Sequence, residues 1–149
     1  MIRGVFVGAM ALLLGVTSTA TATSAKAQNK AESMNIKMTI ASQIITATLE
    51  DSHSARDFFA MLPLTLSLED YADTEKIAYL PRKLTTQGAP KGIDPNVGDL
   101  TYYAPWGNLA IFYRDFGYST GLIKLGRIES GLSHLTTTSA ASITIEAIE

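Results

Sequence analysis

The sequence predicts a mostly β fold, one domain whose strands close into a barrel, carried behind an export signal. Three observations predict it. Apolar residues recur at every second position in segment after segment, the period of a half-buried strand. Turn signals separate these segments at the spacing of all-β domains. Apolar residues make up 46% and charged residues 17% of the 149 positions, a globular composition with length for one well-filled core. Closure is the natural way to remove sheet edges at this size, and a two-sheet sandwich is the alternative.

The N-terminus reads as a secretory signal peptide. Met1 and Arg3 make a short basic start, and the nearly all-apolar run from Val5 to Val16 follows. A small polar stretch, Thr17 to Ser24, leads to Ala25-Lys26-Ala27. Basic start, short apolar run and A-x-A triplet are the three parts of such a signal. A membrane-spanning helix, the other reading, needs roughly 20 apolar residues, and this run is shorter. The expectation is a signal over 1–27, a flexible polar leader over 28–33 and a domain over 34–149. The protein would be exported, periplasmic or secreted, with no membrane segment after cleavage.

Within the domain, Met34, Ile36, Met38 and Ile40 alternate with polar residues, so a strand opens it. Ala41-Ser42 would turn the chain, and Gln43 to Glu50 returns with Ile45, Ala47 and Leu49 on one face. Ser54 is expected to cap a short helix with Asp57 completing a capping box, and Pro63 to end it. Leu64, Leu66 and Leu68 alternate again, and Glu75 to Leu80 is the next strand. Pro81 to Asn96 contains three prolines and two glycines and reads as a long connecting loop. Gly98-Asp99 is a turn, then Leu100 to Ala104 and Leu109 to Arg114 form a hairpin around Pro105-Trp106-Gly107-Asn108. Asp115 to Thr120 is a polar loop, Gly121 to Ile128 a strand, and Ser130 to Thr138 a short helix. Ser142 to Ile148 closes the domain as a strand. The total is about eight strands and one or two short helices.

Charge and composition exclude several classes. Without Arg3 and Lys26, 10 of the 12 bases remain against 14 acids, a net charge of −4. An acidic domain without a basic run does not bind nucleic acid, which rests on clustered Lys and Arg. With no cysteine, disulfides, thiolate catalysis and zinc-thiolate sites are excluded. No phosphate-cradling glycine motif occurs, and no cofactor is expected.

Longer stretches resemble a known family. Met61-Leu62-Pro63-Leu64-Thr65-Leu66, Tyr79-Leu80-Pro81, the block from Gly98 to Tyr113 and Leu125-Gly126-Arg127-Ile128 are similar to bacterial cyclophilin-like-fold proteins. The resemblance covers nearly all of the chain from Met34 on. It implies a closed eight-stranded cyclophilin-like barrel with two helices. It does not imply isomerase activity, since the family has no established activity. The Phe-His-Arg segment of prolyl isomerases is absent, and Gln87-Gly88 is only a dipeptide match.

Prolyl isomerisation needs an apolar pocket and a cationic donor that weakens amide resonance. Arg82, Arg114 and Arg127 are possible donors, and Tyr102, Tyr103, Trp106, Phe112 and Tyr113 could line the pocket. The competing reading puts the alternate aromatics in the core and the arginines at the surface. Trp106, in a turn, is either a lid over the barrel end or an exposed binding aromatic. Asp51 and His53 with Ser52 or Ser54 could form a triad, and His53, Asp51 and Asp57 a metal site, but Asp and Ser before a helix are ordinary caps. The reading taken forward is non-catalytic binding of a peptide or small apolar molecule. Its site would be a cleft between the 81–96 loop and the Tyr102-to-Arg114 hairpin. An exported prolyl isomerase is the alternative, and an assembly partner that uses a sheet edge is a third reading.

Overall fold

The computed structural model describes residues 32–139 and 141–149, with Gly4 and Gly15. The expected signal peptide and most of the leader lie outside the described residues. Ten strands and two helices follow one another as β1 (Asn35–Ile40), β2 (Gln43–Leu49), α1 (His53–Phe59), β3 (Leu64–Tyr71) and β4 (Glu75–Tyr79). Then come β5 (Gly92–Ile93), β6 (Asp99–Tyr103), β7 (Asn108–Phe112), β8 (Ser119–Thr120), β9 (Leu122–Ser130), α2 (Leu132–Thr137) and β10 (Ala141–Ile148). Eight strands close into an antiparallel barrel in the order β1-β10-β3-β4-β7-β6-β9-β2, so the barrel has no free edge. The eight-stranded barrel expected from the sequence is therefore the architecture, and the sandwich is not.

Period-two alternation fills the barrel. Ile36, Met38 and Ile40 of β1 meet Ile45, Ala47 and Leu49 of β2. Leu66 and Leu68, Leu100 and Tyr102, Leu109 and Ile111, Ile123 and Leu125, and Ile143 and Ile145 complete the same core. The β1–β2 turn is the two-residue Ala41-Ser42, both at positive φ (46° and 66°), as a tight hairpin requires. Helix α1 follows the Leu49 end of β2, whereas α2 packs beside its Ile44 end. The helices thus sit at opposite openings, where Phe58 and Leu135 are fully buried.

One part of the barrel is buried on both faces. All five residues of β7 are buried, as are four of five in β6. Outside the wall β4-β7-β6-β9, Ile77, Ala110, Phe112 and Leu122 form a second small core with Ile93 and Tyr103. The covering comes from the loops after β4 and β7, pinned together where β5 pairs with β8. These two short strands fall inside segments that the sequence pattern assigns wholly to loop.

The helix start also differs from expectation. Ser52, not Ser54, is the cap, and its Oγ accepts from the Ala55 N–H. Ser54 instead donates to the Thr85 carbonyl at 2.7 Å. Asp57 does not complete a capping box. Its carboxylate accepts from Arg82 at 2.7 and 3.1 Å and from the Thr85 N–H at 2.7 Å, tying α1 to the loop after β4. The helix ends at Phe59, before Pro63, with Ala60 at its C-cap.

Candidate aromatic site on the barrel wall

The doubly covered wall carries a pocket. Glu75 and Ile77 of β4 project outward, since the alternate residue Ala78 belongs to the barrel core. Glu75 pairs with Phe112 of β7 and with Tyr71 at the end of β3. Tyr103 and Leu122, register partners on β6 and β9, project from the same outer face. Trp106 reaches in from the β6–β7 turn, and Phe116 and Ser119 from the loop after β7. Together they line a cavity of about 140 Å³.

Its walls are rings held edge to face. Trp106 stands against Tyr71 at 5.5 Å between centroids and 83° between planes, and against Tyr103 at 5.4 Å and 79°. Phe112 and Phe116 lie 6.0 Å apart at 37°. Edge-to-face pairs contribute ~0.5–1.5 kcal/mol each beyond area burial, so the rings are pre-positioned. Phe112 and Leu122 make the buried floor, whereas Trp106 is 48% and Phe116 54% exposed. Trp106 is therefore an exposed aromatic at a pocket rim and not a plug of the barrel end.

Among the described residues Glu75 is the only charged one in this lining. It is half buried, and burial pushes its carboxyl above the ordinary carboxylate range. Among the described residues no hydrogen bond or ion pair reaches that carboxyl. A carboxylate beside aromatic faces and without a partner favours a cationic or hydrogen-bond-donating guest.

The remaining residues singled out from the sequence are dispersed. Tyr102 is 1% exposed inside the barrel, where its hydroxyl accepts from the Leu84 N–H at 3.2 Å. Arg82 is held by Asp57 near α1, and the ion pair and the Thr85 N–H keep the Asp57 carboxyl below its usual range. Tyr113 and Arg114 sit at the barrel mouth on the α2 side. There the Tyr113 hydroxyl donates to Asp70 at 2.5 Å, and Lys76 pairs with Asp70 at 3.1 Å. Burial and then the hydrogen bond to Asp70 push the Tyr113 hydroxyl up to about 12. Arg127 is exposed on β9, in register with Asp99 and Thr48. Of the sequence-derived set, Tyr103, Trp106 and Phe112 therefore meet at the aromatic pocket, and Tyr113 and Arg114 meet at the barrel mouth.

A second, larger groove of about 480 Å³ runs between the β2–α1 junction and residues 87–90. It gathers Asp51, Ser52, His53 and Ser54, the residues that suggest a triad in the sequence. Their groups are used locally, with Asp51 bridged to Arg56, Ser52 capping α1 and Ser54 bonded to Thr85. Among the described residues no serine hydroxyl is bonded to His53, the contact that a triad requires. Among the described residues no three His, Asp or Glu side chains converge on a metal position.

Sequence reasoning missed Tyr71, Glu75, Phe116, Ser119 and Leu122. The available signal was the pair Phe116 and Tyr118 in an otherwise polar loop, since solitary loop aromatics often bind. Tyr71 and Glu75 gave none, because their role arises only when β4 pairs with β7.

Comparison with known proteins agrees with this architecture. The model of the cyclophilin-like family matches residues 38–146, and the chain belongs to that family. No curated protein matches it. The solution structure of a hypothetical protein from Archaeoglobus fulgidus is similar in fold, with 17% identity and a TM-score of 0.59. That similarity covers 78% of this chain and 95% of the archaeal one.

Proposed function

We propose that the chain is exported and that its cyclophilin-like domain is a non-catalytic binding module. Its ligand places one compact apolar group in the aromatic pocket on the outer barrel wall. The observation that carries this reading is the pocket itself, an open recess of about 140 Å³ in which Trp106 stands edge to face against both Tyr71 and Tyr103 above a buried floor. That volume is close to the ~150 Å³ apolar cavity that holds one benzene, and below the ~300 Å³ at which drug-sized sites begin. A single side chain of an extended peptide, or one end of a small molecule, fits it. Export is supported by the basic start, apolar run and Ala25-Lys26-Ala27 of the N-terminus.

The isomerase alternative needs a cationic donor over the amide, and among the described residues no arginine lines the pocket. Arg82 is bound to Asp57, and Arg114 stands over the Tyr113 ring at 5.9 Å. These contacts support binding without catalysis. The test is a titration of the protein with proline-containing peptides and single-ring apolar compounds, followed by NMR. We expect the resonances of Tyr71, Tyr103, Trp106 and Phe116 to shift together, and Trp106→Ala to weaken binding more than about tenfold, as for a buried aromatic anchor. Shifts confined to the groove near His53, or an unaffected Trp106→Ala variant, would refute the assignment. Accelerated cis/trans exchange of the bound peptide would establish the alternative.

A further inference from the structure

We infer that the aromatic pocket selects a methylated or quaternary ammonium head group, with Glu75 as its counter-charge. This inference rests on the pocket reading above and names the chemical class of its ligand. Three observations converge on it. Trp106 lies nearly at right angles to both Tyr71 and Tyr103 in the lining of the recess, so its ring and the tyrosine rings are turned in different directions. Ring faces carry negative quadrupole potential and attract cations within ~6 Å of a centroid. Glu75 lies in the same lining, half buried, and is its only charge among the described residues. Among those residues no cation pairs with it, and the adjacent Lys76 points to the opposite face of β4 and pairs with Asp70.

The chemistry discriminates among guests. A neutral ring or proline would cover the Glu75 carboxyl and add to its desolvation without compensation. A primary ammonium would lose strong hydration that the apolar walls cannot replace. A methylated ammonium is weakly hydrated, fills a recess of about 140 Å³ with methyl groups and brings the charge that Glu75 lacks. Ser119 also stands in the lining and can serve a polar tail.

The experiment compares choline with its neutral carbon isostere, 3,3-dimethylbutan-1-ol, on the full chain. Trp106 is the only tryptophan, so its fluorescence reports directly from the pocket. We expect choline to bind at least about tenfold tighter than the isostere, the size of a partly desolvated cation–π and charge contribution. Glu75→Gln should weaken choline at least about fivefold and bring the two compounds toward parity. The wild-type comparison stands even if that variant folds poorly. A peptide with a trimethylated lysine, run beside choline, tells which carrier of the same head group is preferred. If both compounds quench Trp106 equally, or the isostere binds better, the ammonium inference is overturned while the pocket stands. If no compound perturbs Trp106 at tens of millimolar, the pocket reading falls and this inference with it.

Discussion

Tyr102→Phe separates a structural aromatic from a binding one. Tyr102 is the largest fully buried side chain of the barrel, and its hydroxyl is the partner of the Leu84 N–H in the loop after β4. Leu84 is itself 5% exposed and packs in the barrel core. Phenylalanine keeps the ring and its contacts, so no cavity opens. What remains is a backbone N–H in the interior with no acceptor, which costs ~1–3 kcal/mol. The 3.2 Å bond is at the long end of the N–H···O range, so the lower half of that interval applies, about 1–2 kcal/mol. For a domain of this size that lowers the Tm by about 4–8 °C. Urea denaturation measures the free energy, and amide exchange at Leu84 should accelerate more than exchange at Ile77. Ligand response at Trp106 should not change, since Tyr102 faces the other side of the wall. A loss under about 0.5 kcal/mol with unchanged Leu84 exchange would refute the argument that this hydroxyl is a strut.

Other expectations follow from strain, close approach and charge. Ala41 and Ser42 hold φ of 46° and 66°, which costs side-chain-bearing residues ~1–2 kcal/mol each, so Ala41→Asn with Ser42→Gly should stabilise the domain by ~1 kcal/mol in urea denaturation, after the added chain entropy of glycine. Gly126→Ala would place a Cβ 2.2 Å from the Thr48 carbonyl where β9 crosses β2, and should destabilise by ~1–3 kcal/mol or prevent folding, read by circular dichroism. Asp57 and Asp70 have carboxyls held below their ordinary value of 3.8, by Arg82 and by the Tyr113 hydroxyl respectively. Their stabilisation is complete above the unfolded value and is lost as pH falls through the lower folded values. Glu75 works in the opposite direction, since its raised folded pKa gives stability below the unfolded value that is lost as pH rises through the folded one. Glu75→Gln should therefore flatten the loss on the rising side and leave the acid side unchanged, and the reverse pattern in pH-dependent melting would contradict the assignment.

The fold was legible where one face of a strand is buried and the other wet. Met34 to Ile40, Gln43 to Glu50, Leu64 to Leu68 and Ser142 to Ile148 alternate visibly and form β1, β2, β3 and β10. Alternation fades in the runs Asp99–Tyr103 and Asn108–Phe112 because both faces of that wall are covered, and a doubly buried strand reads as a continuous apolar run. The same covering hid β5 and β8. Two-residue strands carry no periodicity, and Gly92 is required there for close approach, with Ser119 O at 2.3 Å from where a Cβ would lie. The helix cap was misplaced by two residues because Ser52 and Ser54 are equally good capping types. The choice depended on Thr85, thirty-one residues further along the chain from Ser54.

The candidate site was only half legible, for a related reason. Aromatic clustering between Tyr102 and Tyr113 pointed to the right wall, but alternation splits that cluster. Tyr102 turns into the core, Tyr103 and Phe112 turn out, and Tyr113 turns in again at the barrel mouth. The outward half gains its meaning from Tyr71, Glu75 and Phe116, which closure of the barrel brings together. Glu75 is the residue that argues most for function there. The first residue of an outward-facing strand end is ordinarily solvated, and a carboxyl there costs nothing. Here the rings of the neighbouring strands and of the Phe116 loop half bury it, and among the described residues no partner reaches it, so burial opposes its charge. Every neighbouring choice on this wall agrees with the fold, and this one local conflict is the feature on which the proposed ammonium site rests.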